Sequence, residues 1–178
     1  LGGLWKSIDG GLNWTSNTDD LPIIGCSDIA INPHNSQIMY LATGDANGVG
    51  SQLTIASIGI LKSTDGGITW PPNSNTMNWE VSWGRNIYKL LIHPTNPDTV
   101  YAATTNGVYR TINAGTNWIK MNDGQFTDIE FKPGNPNTIY AAAGVHSGGS
   151  FYKSIDAGLT FTQITDNLPA SNTVARFE

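Results

Sequence analysis

Charge is scarce in this sequence: Asp, Glu, Lys and Arg make up only 13 % of its 178 residues, nine basic against fourteen acidic. No cluster of Lys and Arg occurs anywhere. That argues against a nucleic-acid partner and against an anionic membrane surface. Cysteine is nearly missing too. Cys26 stands alone, which excludes an internal disulfide and a cysteine-type zinc site. No run of about 18 apolar residues is present, so no membrane insertion is expected. Leu1 opens the sequence without a signal-peptide pattern. His34, His93 and His146 show no metal-ligand spacing and read as surface residues, two of them beside a turn proline. There is no P-loop, dinucleotide fingerprint or Gly-x-Ser-x-Gly. No cofactor and no metal are therefore expected.

Turn formers and aromatics are plentiful, with 20 Gly, 9 Pro and 6 Trp. This balance suits a turn-rich all-β protein rather than a helical bundle. By length alone the chain is one domain able to bury a sizeable core.

One pattern recurs four times: Ser/Thr-x-Asp/Asn-x-Gly-x-x-Trp/Phe. Its key positions are Ser7, Asp9, Gly11 and Trp14; Ser63, Asp65, Gly67 and Trp70; Thr111, Asn113, Gly115 and Trp118; and Ser154, Asp156, Gly158 and Phe161. Each copy follows an apolar residue and Lys or Arg. The Asp or Asn accepts hydrogen bonds from backbone N–H groups just ahead and so fixes a tight turn. The glycine supplies a positive φ at little steric cost. The aromatic opens the return strand and folds its ring over the turn, as the tip of a β-hairpin.

A second repeat is interleaved with the first, at residues 29–42, 90–103 and 129–142. Each copy reads as strand, Pro/Asn turn, strand, because proline cannot donate to a ladder and Asn-Pro favours turning. The second strand, ending Tyr-x-Ala, suits a buried inner position. Together the repeats give a four-stranded unit, A to D, whose turn acids lie 56, 48 and 43 residues apart. That period is the signature of a propeller blade. The expected strands are 28–32, 37–43, 58–63 and 68–71; 87–93, 98–104, 107–111 and 117–121; and 126–131, 138–143, 150–154 and 160–164.

The expected architecture is therefore an all-β propeller of four-stranded antiparallel blades. Blades fall at 27–71, 87–121 and 126–164, with strands C and D of a partial blade at 1–15 and the start of a further blade at 174–178. Three whole blades do not close a ring. The chain is thus expected to be an incomplete piece of a larger propeller, partnered by the remainder of its own longer polypeptide.

The four-fold pattern resembles the Asp-box, or BNR repeat, of sialidases, sortilin-type receptors and xyloglucan-degrading glycoside hydrolases. In those families it lies at the blade periphery, so the resemblance implies a structural role for its Asp. The sialidase arginine triad is not matched, since only Arg85, Arg110 and Arg176 are present. The stretches 42–45, 58–67 and 90–97, with Arg85, resemble large secreted proteins of Bacteroidota with sortilin-like or xyloglucanase-like propellers. Many of those carry a sorting domain for type IX secretion. This resemblance implies an extracellular or outer cell-surface location. Asp98-Thr99-Val100 also resembles the short O-glycosylation motif of that phylum.

Meander topology puts the Pro turns and the repeated turns at one end of the blades. The insertions Asp45–Ser57 and Pro71–Asn86 then lie at the other end, the expected binding end. The first insertion, with Asp45 and Asn47, offers oxygens for Ca²⁺ but no 12-residue EF pattern, and reads better as a solvated loop. In the second, Trp79, Glu80, Trp83 and Arg85 can stack a sugar ring and bond its hydroxyls. Alternatively, the two indoles plug a gap between blades. A glycosidase needs two facing carboxyl groups. Asp28 and Asp128, at equivalent strand starts, and Glu130 are the candidates, with Lys89 at the middle position; the plainer reading is that they accept turn hydrogen bonds. Two functions follow: a non-catalytic module binding protein or polysaccharide at the cell surface, or a xyloglucanase-like glycoside hydrolase with acids partly outside this stretch.

Overall fold

The computed structural model describes residues 3–23, 25–44, 57–71, 74–82, 85–144 and 149–168, with only the backbone of 78–82. All regular elements among them are strands, fourteen in number. The chain divides into two compact units, Leu1–Ile87 and Tyr88–Glu178.

The first unit opens with a two-stranded ribbon, β1 (Trp5–Lys6) and β2 (Thr15–Ser16). A four-stranded sheet follows: β3 (Cys26–Ile31), β4 (Met39–Thr43), β5 (Ser57–Ser63) and β6 (Asn75–Ser82). Strand β7 (Ile87–Ile92) begins the next sheet, continued by β8 (Val100–Thr104), β9 (Gly107–Thr111) and β10 (Ile119–Asn122). The last sheet is β11 (Phe126–Lys132), β12 (Asn135–Ala143), β13 (Ser150–Ser154) and β14 (Thr162–Ile164). In each sheet neighbours in sequence are neighbours in space, an antiparallel meander.

Burial follows the apolar pattern. Every residue of β8 is buried, as are Tyr40 to Thr43 of β4, because these strands are covered on both faces. In the first unit Leu41, Leu61 and Trp70 form a cluster that Leu4 and Leu21 cover from the ribbon side. In the second, Tyr101, Val108, Phe126, Ile129 and Ile139 join the two sheets. The Tyr101 ring meets Phe131 edge-on at 5.7 Å.

The A–B and C–D turns do share an end. Backbone N–H groups of the repeated turns donate to the Pro turns of their own sheets: Gly66 to Gln37 at 2.9 Å, Ala114 to Asp98 at 2.8 Å, Ala157 to Asn137 at 2.9 Å. Within the Pro turns, Asn32 Oδ1 accepts from the N–H groups of His34 and Asn35. His93 Nδ1 does the same for Thr95 and Asn96, so His93 is a turn acceptor rather than a plain surface residue. Burial, and then the charge of Arg110, push its pKa down.

One strand departs from expectation. The outer strand of the first full sheet lies at Asn75–Ser82, not at 68–71. Pro71 and Pro72 have no N–H to give a ladder. Instead Ser74 donates its N–H and its hydroxyl to Pro71 O, at 2.8 and 2.6 Å, turning the chain before pairing begins. Gly59 makes the pairing with β6 close: at φ +112, a Cβ there would sit 1.6 Å from Met77 O. In the other copies the return strand starts directly after the aromatic.

Candidate functional site

The repeated turns are built alike. In the second copy the Ser63 hydroxyl donates to Asp65 Oδ1 at 2.7 Å and accepts the Gly67 N–H at 2.9 Å. Asp65 Oδ1 also accepts the N–H groups of Ile68 and Thr69, both at 3.0 Å, and Oδ2 accepts the Thr69 hydroxyl at 2.6 Å. Asp9 and Asp156 are held the same way, by Ser7 and Asn13 and by Ser154 and Thr160. These donors favour the charged carboxylate. The bonds from Asn13, then Ser7, lower the pKa of Asp9 to about 2. Those from Thr160, then Ser154, lower that of Asp156 to about 2. Asp65, with the bonds of Thr69 first, is held lower still. A carboxylate so fully engaged is a turn fixture, not a general acid.

The sequence reading named the first hydroxyl without giving it a role, and missed the position before the aromatic. The hydroxyl at the first position both donates to the acid and accepts from the glycine. The residue before each aromatic is Asn13, Thr69, Asn117 or Thr160, always a side chain able to donate. That regularity was the available signal.

The turns also fasten neighbouring strands' layers. Lys6 Nζ donates to Gly66 O at 2.6 Å. Asn17 Nδ2 donates to the carbonyls of Gly67 and Ile68. In the second unit the Tyr101 hydroxyl donates to Ala157 O at 2.7 Å. Gly158 is required there: a Cβ would lie 2.7 Å from the Tyr101 ring.

The other candidates are scattered. Asp45, Asn47 and Trp83 lie outside the described residues. Trp79 and Glu80 stand on β6, so they belong to a strand and not to a long loop. The connection to β7 is reduced to residues 83–86, and Arg85 is exposed in it. Asp28 and Asp128 do occupy matching sites. Each follows a bulge, and the preceding hydroxyls, Ser27 Oγ and Thr127 Oγ1, lie 3.5 Å from Ala42 O and Ala142 O. Glu130 is committed to Lys89, at 3.0 Å. Thr99 is 3 % exposed, which removes it as a glycosylation acceptor.

These sheets define a β-propeller protein, built from four-stranded antiparallel blades. Among solved structures, the chain is similar to the GH74 xyloglucanase from Xanthomonas campestris, at TM-score 0.67 and 17 % identity, covering 96 % of this chain and 28 % of that one. It is similar to an ancestral GH74 enzyme at TM-score 0.56 and 18 % identity, covering 96 % and 21 %. It is also similar to YCF48 bound to D1 peptide, at TM-score 0.53 and 16 % identity, covering 83 % and 43 %. At these identities the likeness is one of fold. No family model and no curated protein matches the sequence.

Proposed function

We propose that this chain is part of a propeller acting as a non-catalytic binding module for protein or polysaccharide at the outer surface of a bacterial cell. The observation that carries the reading is the likeness of its blades to YCF48, solved with a bound peptide. The commitment of the turn acids and of Glu130 to structural partners supports it. The Asp-box resemblance supports a secreted, sortilin-like setting.

A xyloglucanase-like hydrolase is the second reading, favoured by the likeness to the GH74 xyloglucanase and by the matching bulges that carry Asp28 and Asp128. The test is to incubate the full-length protein with xyloglucan and assay reducing ends, and to run it in native gels containing the polysaccharide. Retardation or a defined protein partner, with no reducing ends, is the expected result. Reducing ends that vanish in Asp28→Asn and Asp128→Asn would replace the module by a hydrolase using those acids. Release that survives both substitutions would place the chemistry elsewhere in the protein. Labelling intact cells with a membrane-impermeant biotin reagent is expected to tag it, and protection from the reagent would refute the surface location.

A further inference from the structure

A cleft of about 320 Å³ lies in the second unit, between β10 and the turn at Ser154–Phe161. Ile112, Ile119, Met121 and Leu159 wall it, with Arg110 and Asn113 among its lining. Ile112, Ile119 and Leu159 are more than half exposed, an unusual concentration of apolar side chains facing water.

The first unit has a cleft of about 360 Å³ at the corresponding place, lined by Asn17, Ile68 and Trp70, and its backbone edge is capped. Lys6 pairs Thr15 across the ribbon as Arg110 pairs Ile119 across β9 and β10. Counting on from those pairs, Asn17 corresponds to Met121, and Gly67 and Ile68 correspond to Gly158 and Leu159. Asn17 caps the carbonyls of Gly67 and Ile68 with its amide. Met121 has no donor to offer Gly158 or Leu159. The amides that line this cleft are Asn113 and Asn117 instead.

The charge differs as well. Asn113 is neutral where the other three turns carry Asp9, Asp65 and Asp156. Arg110 lies over the Tyr101 ring at 5.8 Å, and its Nε is buried with no acceptor among the described residues. An apolar cleft with a guanidinium beside it and a neutral turn residue offers two complements. They are an apolar side chain and a carboxylate.

We propose that this cleft binds an extended peptide segment of a partner protein, carrying an apolar side chain next to an acidic one. The site rests on the binding-module reading and narrows it to a protein partner. The apolar side chain enters between Ile119 and Leu159, and the acid pairs with Arg110.

The probe is the peptide acetyl-Gly-Leu-Asp-Leu-Glu-Gly-amide, titrated into full-length protein labelled at its Ile, Leu and Met methyl carbons. Saturable shifts are expected at Ile112, Ile119, Met121 and Leu159. Binding should weaken about tenfold on Arg110→Gln, or when Asn and Gln replace the peptide's acids. It should also weaken in about 0.5 M salt, where charge pairing is screened. Because Arg110 packs on Tyr101, Leu159→Glu is the second variant: it sets a like charge at the exposed mouth and should weaken binding comparably with methyl signals elsewhere unchanged. Equal affinity for the amide peptide, or no shift at these methyls up to about 10 mM peptide, would overturn the site. Reducing ends from xyloglucan would sink the non-catalytic reading separately, without altering these methyl shifts.

Discussion

The first hydroxyl of each repeated turn holds two partners at once. In the fourth copy the Ser154 hydroxyl donates to Asp156 at 2.7 Å and accepts the Gly158 N–H at 2.8 Å. Between those groups the chain passes through a left-handed residue. In the first two copies this is Gly10 or Gly66, both at φ 72, but in the others Ala114 and Ala157 take φ 53 and 55. Left-handed geometry costs a residue with a Cβ about 1–2 kcal/mol, partly offset by the about 0.5–1 kcal/mol entropic penalty of glycine. Ala157→Gly is therefore expected to raise stability by about 0.5–1 kcal/mol, read as a higher denaturant midpoint. A lowered midpoint would contradict the strain. The acids make a second residue-scale prediction. The pKa of Asp9 and Asp156 falls from 3.8 to about 2 on folding, so the unfolded chain binds more protons between those values. Their stabilisation is complete above pH 3.8 and is lost as pH falls through about 2. Carboxyl titration by NMR would check this, and midpoints near 3.8 would refute it.

At the scale of elements, the same motif has unequal weight in different places. Trp70 is 4 % exposed and packs with Leu41 and Leu61, whereas Trp14 on the short ribbon is 56 % exposed. Trp70→Ala should cost about 3–5 kcal/mol and Trp14→Ala less than about 1 kcal/mol, as measured by thermal melts. An unchanged melt for Trp70→Ala with lost ligand binding would turn that turn from scaffold into site. Most strands were legible, since Ile-x-Ile, Tyr-x-Ala and the Pro turns state period and punctuation locally. The strand β6 was not. Its expected place, 68–71, included Trp70, but two prolines and a serine delay pairing until Asn75, which moves Trp79 and Glu80 from a loop to a strand. The pair Pro71-Pro72 was readable as a breaker, and the distance over which it acts was not.

Across the larger assembly of blades, layers are joined by bonds that skip dozens of residues. The Tyr101 hydroxyl reaches Ala157 O, and Lys89 reaches Glu130. Tyr101→Phe keeps the buried ring and removes only the hydroxyl, with its bond to Ala157 and its contact with Arg110, so it should cost about 1 kcal/mol, measurable in the melt of the full-length protein. No loss would mean that the ring's packing alone joins the two sheets. The sequence by itself determined the turns, because every partner of Asp65 lies within four residues of it. It also determined the four-strand period and the buried second strand. Only the tertiary structure decided which carbonyl Tyr101 meets, that Glu130 is tied to Lys89, and that Met121 and Leu159 line one cleft. The physical reason is one of range: a turn closes through short loops whose geometry the residue types dictate, while contacts across blades depend on how whole sheets pack.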